Sequence, residues 1–411
     1  MKKKAYTYLS LIIYFFLASC SSPKGNNFLA QETTIINLDS ATIETFKYST
    51  FFNTAKIIPL STKEVLLSNI HKMLITKDAF FLIDKKTESV YAFKKDGSFI
   101  RKFGNHGSAP GEYTNCRDFT IDPTNNKLYI YDANRRKILR YDLPTGTFEE
   151  GITLSSRQYY SHIHYQSGHL YAAQPCHNPD ASSTFYLLHQ IDPQTGKETG
   201  RMLDADLYNQ GWQNEPIGQS NPPFFPMEGE TWFCTGLMDT VMVLKDGTVN
   251  PVLAIHGKQV VRKEDIPEED KRYSPVPTTR SKQLVMQSMR LNRQEKFFGF
   301  SNFFIQGDNI WFECNGGSRL SVRYDLKNRR THIYNRTEYD IFLQKKVNRT
   351  LPHYLCADST GIYYCYTTEQ IPELKHLLED GYISDKVVNK ESINQLDSES
   401  NPVLLYYEFK K

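Results

Sequence analysis

The sequence lacks a strong charge of either sign. Its 411 residues contain 49 Lys and Arg against 46 Asp and Glu, which gives a formal net charge of +3. Proteins that bind nucleic acid need a broad cationic field, because neutralising backbone phosphates supplies much of the affinity. The even balance therefore argues against nucleic acid as a partner.

Fingerprints of common catalytic and cofactor sites are also missing. The chain has no Gly-x-Ser-x-Gly elbow, no His-Glu-x-x-His metalloprotease motif and no dinucleotide-binding glycine pattern. No two cysteines have the short spacing of a zinc or redox motif. The sequence therefore predicts no cofactor and no metal centre, and it identifies no catalytic residue.

Cysteine is scarce, with seven in the chain. Apart from Cys20, which belongs to an N-terminal signal, the cysteines are widely spaced and form no dense disulfide framework. Three of them stand inside apolar, strand-like runs, where a thiol usually behaves as a small hydrophobic group. We therefore expect buried free thiols at Cys116, Cys176, Cys234, Cys314, Cys356 and Cys365.

No apolar run reaches the roughly 20 residues that a bilayer span needs. The most distinctive run, residues 8–17, follows three lysines and precedes Ala-Ser-Cys, with the cysteine at position 20. The order of basic, apolar and small residues is typical of a secretory signal. It predicts a signal peptide over residues 1–19.

The residues around Cys20 resemble the lipobox of bacterial lipoprotein signals. The resemblance implies that the Cys20 thiol carries the lipid, such as palmitate, and that the membrane is a partner through this lipid. Residues 20–32 then form a flexible polar tether. The alternative is an ordinary signal peptide that merely contains a cysteine. In Bacteroides-type lipoproteins, acidic residues after the cysteine accompany surface export. None stands here, so the periplasmic face of the outer membrane is expected at least as much as the cell surface.

A repeated phrase runs through residues 33–411. It is clearest in FFLID at 80–84 and LYIYD at 128–132, each followed by a second strand and an Asp-Gly or Thr-Gly turn. One such unit cannot bury its apolar face alone, so tandem copies predict a repeat architecture. The 26 Tyr and 25 Phe suit pleated β structure. We place six copies near residues 70–104, 118–152, 162–203, 225–255, 302–336 and 353–409.

Six four-stranded units at a spacing of about 40 to 50 residues predict an all-β, six-bladed β-propeller. The last copy lacks one strand, and the N-terminal run 55–60 is expected to join it and close the ring, which removes exposed sheet edges. Segments 282–293 and 371–378 predict short helical insertions. A twisted sandwich is the alternative, but it does not account for the recurring Asp and Asp-Gly turns.

The connector 104–113 reads GNHGSAPGEY and resembles the Gly-rich, Pro-Gly-Glu-aromatic signature of NHL-repeat propellers. It is especially similar to six-bladed propeller lipoproteins of Bacteroides type. Residues 128–142 continue the match, and 402–409 resemble that family's closing strand. Ala109 departs from the glycine often found there, which restricts its backbone. The resemblance implies the fold but no activity, because many propellers bind and only some catalyse.

Candidate binding residues stand on two connectors, where binding residues often concentrate. His106, Glu112, Tyr113 and Arg117 are expected near one end of the propeller channel. Trp212 lies in a long connector rich in aromatic and amide groups, which suits sugar recognition because rings stack on C–H faces while amides bind hydroxyls. The alternative for both connectors is chain reversal and packing, with Glu112 capping locally.

Two further sets of residues invite a chemical interpretation. His162 and His164 are two residues apart, so on a strand their rings share one face. They suit a metal pair, with His169 or His177 as a third ligand, but we favour a solvent-exposed strand face. The second set consists of aspartates that recur at equivalent places in the repeats. We expect them to make hydrogen bonds in turns and between blades. They are Asp84, Asp132, Asp142, Asp192 and Asp325.

Three functions remain open at this level. We favour a lipid-anchored envelope propeller that binds a ligand, such as a glycan, or a partner protein without chemistry. The second is a glycan-active envelope lyase or hydrolase that uses His and Tyr as acid and base and Arg to hold a carboxylate. The third is a structural subunit of an envelope assembly.

Overall fold

The computed structural model describes residues 33–84, 86–174, 184–211, 222–271, 274, 276–317, 319–345 and 352–410. The predicted signal peptide 1–19 and tether 20–32, with Cys20, lie outside these residues, as do Cys176, His177 and Trp212. Within the described residues the chain forms six successive antiparallel sheets around a ring, which confirms the all-β, six-bladed β-propeller.

Three strands precede the first blade. They are β1 (Thr34–Asn37), β2 (Thr42–Lys47) and β3 (Phe52–Pro59), with helix α1 (Tyr48–Phe51) before β3. Blade 1 contains β4 (Ile70–Ile75), β5 (Ala79–Asp84), β6 (Ser89–Lys94) and β7 (Phe99–Phe103). The connector after it holds β8 (Asn105–His106) and β9 (Glu112–Tyr113).

Blades 2 and 3 each contain four strands in succession. Blade 2 contains β10 (Cys116–Asp122), β11 (Lys127–Asp132), β12 (Lys137–Asp142) and β13 (Phe148–Thr153). Blade 3 contains β14 (His162–Gln166), β15 (His169–Ala173), β16 (Tyr186–Ile191) and β17 (Glu198–Asp204). Helix α2 (Ala205–Tyr208) follows.

Blades 4 to 6 carry the longer insertions. Blade 4 contains β18 (Phe224–Pro226), β19 (Thr231–Phe233), β20 (Thr240–Lys245) and β21 (Thr248–His256). Helices α3 (Glu268–Lys271) and α4 (Pro277–Arg293) follow. Blade 5 contains β22 (Phe297–Gln306), β23 (Asn309–Gly316), β24 (Leu320–Asp325) and β25 (Arg330–Glu338). Blade 6 contains β26 (His353–Asp358), β27 (Gly361–Tyr366), helix α5 (Ile371–Glu379) and β28 (Val403–Phe409).

The ring closes through the N-terminal strand β3, as the sequence predicts. β3 pairs antiparallel with β28 as the outermost strand of blade 6, with Ile57 opposite Leu405 and Lys56 opposite Tyr406. Ile57 and Leu405 are both fully buried. Closure therefore joins the two ends of the described chain in one sheet and leaves no gap in the last blade.

The rest of the N-terminal segment has a role that the sequence pattern did not reveal. β1 adds to the outer edge of blade 4, parallel to β21, and β2 adds to the outer edge of blade 5, parallel to β25. These two sheets therefore have five strands. An uncovered outer strand would present free N–H and C=O groups. β1 and β2 thus cover the outer edges of blades 4 and 5, and β3 is itself the outer strand of blade 6.

The recurring aspartates act in turns and strand connections. Asp84 accepts hydrogen bonds from the backbone N–H groups of Ser68, Asn69 and Thr87, all at 2.8 Å. Asp132, with no solvent exposure, accepts from the backbone N–H of Thr114 at 2.8 Å. Each carboxylate therefore links the chain entering its blade to the blade itself. Each of the remaining three aspartates accepts a hydrogen bond from a backbone N–H two or three residues further on, within its own turn. They are Asp142, Asp192 and Asp325.

The two ends of the ring differ strongly. In every blade the first strand begins at the end of the ring where the connector from the previous blade arrives. Because neighbouring strands run in opposite directions, the loop between the second and third strands lies at that same end. This end carries the connectors 104–115 and 257–296 and the insertion 367–402, and we call it the loop-rich end. The opposite end has short turns, such as residues 167–168 and 307–308. Insertions that collect on one face often form a binding surface.

Free thiols occupy the cysteine positions that the structure describes. Cys116, Cys234, Cys314 and Cys365 are buried and unpaired, and Cys356 is unpaired and partly buried. Burial raises the pKa of the Cys234 thiol well above its ordinary value. These thiols therefore pack as small apolar groups between strands.

Ring closure predicts a large difference between two identical substitutions. Ile57→Asp places a carboxylate in the fully buried closing strand and should lower the free energy of unfolding by more than about 3 kcal/mol. Ile43→Asp, on the 69% exposed side chain of β2, should change it by about 0.5 kcal/mol or less. Urea unfolding checks both, and equal effects would show that β3 does not close the ring.

Candidate ligand-binding site

Histidine and arginine side chains stand near the start of four of the innermost strands. The first strand of a blade begins at the loop-rich end, and in four blades its first or second residue is basic: His71, Arg117, His162 and His353. First strands surround the central channel of a propeller, so residues at their starts lie near its opening. We call the opening that these four residues surround the mouth.

Two of the mouth residues stand on β-bulges. The pairing of β4 with β5 jumps from Ile70 to Lys72, and the pairing of β10 with β11 jumps from Cys116 to Asp118. His71 and Arg117 are therefore the extra residues in their strands. A bulge bends the strand and changes the direction of its side chain, and bulges are frequent beside functional sites. Blades 1 and 2 thus use the same irregularity to present a basic group.

A buried ion pair lies directly after the two bulges. Lys72 Nζ lies 3.0 Å from both carboxylate oxygens of Asp118, and the two side chains are 6% and 2% exposed. Lys72 Nζ also donates to the carbonyl oxygen of Ile163 at 3.3 Å, and Asp118 accepts from the Ile163 N–H at 2.8 Å. The pair therefore ties together the first strands of blades 1, 2 and 3. Buried charges are tolerated only when paired and hydrogen-bonded, as here.

The charged part of the mouth includes an aromatic platform. The guanidinium carbon of Arg117 lies 5.7 Å from the ring centroid of Tyr159, and the Tyr159 side chain is 47% exposed. The rings of His71 and His162, on blades 1 and 3, lie 6.5 Å apart. Arg117 is exposed and can approach a ligand, and guanidinium groups bind carboxylates with two parallel hydrogen bonds.

His162 and His164 are buried, which corrects the predicted solvent-exposed strand face. Each is 6% exposed, because β14 is an innermost strand packed between neighbours. His162 Nδ1 lies 2.9 Å from Ser161 Oγ, and His164 Nε2 lies 2.7 Å from Thr231 Oγ1. Burial, with a smaller contribution from the charge of Lys72, lowers the pKa of His164 to about 3. Among the described residues no group of three or more His, Cys, Asp or Glu is placed to hold a metal ion.

Blades 4 and 5 form a neutral part of the same end. A small cleft of about 10 Å³ lies between them, and its wall includes Phe225, Phe300, Thr235, Ser301 and Asn315. Asn315 Nδ2 donates to Ser301 Oγ at 2.8 Å. This volume is about that of one water molecule, so the polar groups of the cleft suit an ordered water better than a ring-sized ligand.

The border between the charged and neutral parts contains a neutralised carboxylate. Glu313 accepts hydrogen bonds from Asn302 Nδ2 and from Arg319 Nε, both at 2.7 Å. Asn302 has a positive φ of 56° and lies in a second irregularity of β22, between Ser301 and Phe304. Left-handed backbone at a residue other than glycine is uncommon, and Asn tolerates it best. The bulge thus turns the amide of Asn302 toward Glu313.

The predicted connector site is largely bonded within itself. His106 Nε2 lies 2.8 Å from the Thr87 carbonyl oxygen, and Glu112 accepts from the Ala109 N–H at 2.9 Å. Tyr113 is fully buried, and its hydroxyl donates to the Phe103 carbonyl at 3.3 Å. These three residues shape the turn into blade 2, whereas Arg117 lies on β10 at the mouth. Trp212 lies outside the described residues.

Sequence reasoning missed several residues of the mouth. His71, His353 and Tyr159 were not singled out, and neither was the pairing of Lys72 with Asp118. The sequence did carry a signal for His71 and for the Lys72–Asp118 pair. Ile-His-Lys at 70–72 and Cys-Arg-Asp at 116–118 open equivalent strands of the two clearest repeats. No pattern in the sequence indicated the bulges, which arise from strand pairing.

One solved structure supports the architecture. The chain is similar to the crystal structure of an inferred exported protein from Bacteroides fragilis NCTC 9343, with a TM-score of 0.67 and 17% identity over 90% of this chain and 100% of the other. It is also similar to a member of the DUF4221 family from Bacteroides vulgatus ATCC 8482, with a TM-score of 0.49 and 10% identity over 87% of this chain and 97% of the other.

Sequence comparison gives one family and no curated relative. The family described as Domain of unknown function (DUF4934) matches residues 33–408, almost the whole propeller. No curated protein matches the sequence.

The buried histidines predict a loss of stability in mild acid. Their native pKa values are about 3 against about 6.5 in an unfolded chain, so between pH 7.5 and pH 5 only the unfolded state gains protons. The free energy of unfolding therefore falls as pH falls, by about 2 kcal/mol per histidine at pH 5.

Urea unfolding at the two pH values isolates this contribution. The His164→Gln variant should lose about 2 kcal/mol less than the natural protein between pH 7.5 and pH 5, because one such group is gone. The control His256→Gln removes an exposed histidine of β21 and should leave the loss unchanged. An equal loss of unfolding free energy in the natural protein and the His164 variant would contradict the low native pKa of His164.

Proposed function

This chain belongs to the DUF4934 family, and we propose that it is a lipid-anchored envelope protein that binds an anionic ligand at the mouth of its propeller. The observation that carries the proposal is the exposed guanidinium of Arg117, which stands on a β-bulge at the start of a first strand and lies beside the exposed ring of Tyr159. The nearby carboxylates of Asp118 and Glu313 are already bonded to Lys72 and Arg319. These two carboxylates therefore do not compete with an incoming anion for exposed Arg117.

The lipid anchor rests on the N-terminal sequence. The basic, apolar and small residues before Cys20 match a lipoprotein signal, and the similar B. fragilis protein is an inferred exported protein. None of the helices in the described ranges is long and apolar enough to cross a membrane. A lipid on Cys20 would hold the propeller at the outer membrane, on its periplasmic face or at the cell surface.

A glycan lyase or hydrolase is the second candidate, because His71, His162, Arg117 and Tyr159 meet in one mouth. Two features favour binding instead. The pKa of His162 is lowered to about 3, chiefly by burial, so the imidazole is neutral near pH 7 and donates a proton poorly. The Asp118 carboxylate is bonded to Lys72 and is not available as a base. Appearance of new reducing or unsaturated ends on an acidic glycan would favour the enzyme.

A purely structural subunit of an envelope assembly is the third candidate. Flat, featureless ring ends would support this function. The loop-rich end instead presents the exposed guanidinium of Arg117 beside the exposed ring of Tyr159. Shape and charge of this kind are features of ligand sites.

Removing the exposed guanidinium should weaken anion binding. Galacturonate should raise the melting temperature in a saturable way, whereas galactose, which lacks the carboxylate, should not. Arg117→Ala should weaken galacturonate binding about tenfold or more, because a charge-assisted hydrogen-bond pair is lost. Phosphate, sulfate and citrate are measured in the same way and complete the panel of anions.

The control for this substitution is Arg330→Ala. Arg330 is exposed at the start of β25, on the opposite end of the ring, and its removal should leave binding unchanged. If no anion of the panel stabilises the natural protein, or if both variants bind alike, the mouth is not an anion site.

The anchor has a separate test. Cys20→Ala should abolish incorporation of radiolabelled palmitate and move the protein from the membrane fraction to the soluble fraction, because the acylated thiol is lost. Cys116→Ala removes a buried thiol of the propeller and should keep both label and membrane location. Retention of label in the Cys20 variant would refute lipidation at this cysteine.

A further inference from the structure

Helix α4 has an apolar surface that the propeller does not cover. Val285, Met286 and Met289 are between 45% and 53% exposed, and neighbouring apolar side chains on one helix surface form a patch rather than scattered exceptions. On the other side of the helix, Leu291 is 1% exposed and packs into a small apolar cluster. The other buried members of this cluster are Leu237, Val261, Ile266 and Phe298. The helix is therefore fixed to blades 4 and 5 while its outer surface remains exposed.

Two cations stand at the ends of this apolar surface. Lys282 comes four residues before Met286, and Arg293 comes four residues after Met289, and both basic side chains are exposed. Residues three or four apart lie one above the other on a helix, so these four side chains form one line. The sequence of α4 contains four basic residues and no acidic one. We call Lys282, Val285, Met286, Met289 and Arg293 the exposed face of α4.

The acidic helix α3 lies beside this face. Gln283 Nε2 donates to the carbonyl oxygen of Glu269, a residue of α3, at 3.4 Å. Gln283 is about 100° around the helix from Lys282, because an α-helix completes a turn in 3.6 residues. α3 therefore lies on one flank of α4, to the side of the line of cations.

The chain that leads to Cys20 enters the fold next to α4. β1 joins the outer edge of blade 4, and Asp39, just after β1, accepts from the Lys258 N–H at 3.0 Å. Lys296, just after α4, donates from Nζ to the Lys258 carbonyl oxygen at 3.2 Å. The entry point thus lies beside both ends of the connector that carries α4. A polar tether of the predicted length, residues 20–32, has an average span of about 20 Å, so α4 is within reach of a membrane that holds Cys20.

We propose that the exposed face of α4 docks on the anionic lipid surface of the membrane. The inference rests on the lipid anchor of the proposed function, because that anchor brings the helix to the membrane. The three apolar side chains enter the boundary between headgroups and acyl chains, while Lys282 and Arg293 contact the lipid phosphates. Blade 2, which carries Arg117, stands across the six-bladed ring from blade 5, so the docking face and the anion site are separate surfaces.

A partner protein or a second copy of the chain is the competing occupant. A stable interface between proteins usually covers about 800 Å² on each partner, and lysine is depleted within it. Three apolar side chains on one helix, with a lysine and an arginine at the ends, form a smaller and more cationic contact. A shallow helix at an anionic lipid surface needs only apolar groups flanked by cations.

The contact is weak by itself and orients the propeller that the lipid holds. Stable attachment to a membrane takes two signals, and a single shallow anchor binds reversibly. Cys20→Ala therefore still releases the protein from the membrane fraction. With both contacts in place, blades 4 and 5 stand against the membrane.

Vesicle binding by the full chain with Cys20→Ala tests the inference in the absence of the lipid. In sedimentation experiments, vesicles of equal parts phosphatidylglycerol and phosphatidylcholine should bind it about tenfold or more tightly than vesicles of phosphatidylcholine alone. Raising the salt concentration to about 0.5 M should weaken binding about fivefold or more, because salt screens the attraction between cations and lipid phosphates.

Two pairs of substitutions in the Cys20→Ala chain separate the apolar and charged contributions. Met286→Ser with Met289→Ser should weaken binding to the phosphatidylglycerol vesicles about tenfold or more, because the inserted apolar groups are lost. Lys282→Gln with Arg293→Gln should reduce the preference for phosphatidylglycerol to within about threefold. All four side chains are exposed, so urea unfolding midpoints should stay unchanged.

Matched controls change exposed residues of the same types elsewhere on the ring. Ile43→Ser removes an exposed apolar side chain of β2, and Arg330→Gln removes an exposed cation at the opposite end. Both should bind vesicles like the Cys20→Ala chain. Equal binding by the controls and the α4 variants would show that α4 takes no part.

Each contrary outcome has its own meaning. If Arg117→Ala removes vesicle binding and the α4 variants do not, lipid phosphates bind at the mouth and the inference is wrong. If the chain binds no vesicles but sediments as a dimer that the methionine substitutions dissociate, a second copy covers α4 and the inference is also wrong. If palmitate labelling fails at Cys20 while vesicle binding depends on α4, the proposed anchor fails and the docking face stands.

Discussion

The pairing of β3 with β28 is the contact on which the remaining structure depends. It places a strand from near the N-terminus beside the last strand of the chain, and both central residues, Ile57 and Leu405, are fully buried. Without it, blade 6 would expose an apolar face and an unpaired edge. β1 and β2 continue the same segment over blades 5 and 4. The N-terminal segment therefore holds half of the ring together.

Closure also creates the mouth, because it fixes six first strands around one channel. The Lys72–Asp118 pair then sets the positions of three of them, since it bonds to the backbone of β14 as well. His71 and Arg117 immediately precede these two residues, so the buried pair fixes the base of each bulge. A buried ion pair contributes little net stability on average, but breaking one partner is strongly unfavourable. The pair therefore acts mainly as a constraint on geometry.

The arrangement favours recognition over chemistry for a physical reason. Acid–base catalysis needs groups whose pKa values lie near the working pH and whose protons can reach a substrate. Here burial lowers the pKa of His162 to about 3, and the carboxylates of Asp118 and Glu313 are bonded to cations. The side chains of Arg117 and Tyr159 are exposed at the surface. Such a surface can discriminate charge and shape without changing a covalent bond.

The sequence alone determined the architecture, because strand alternation, Asp-containing turns and the repeat spacing are local signals that each blade carries for itself. It also indicated β3 as the closing strand and Arg117 as a residue near the channel. The remaining members of the mouth depended on the tertiary structure. The bulges at His71 and Arg117, the burial of His162 and His164, and the added strands β1 and β2 all follow from pairing between distant segments. Such pairing leaves no periodic trace in either segment, so only the closed ring reveals it.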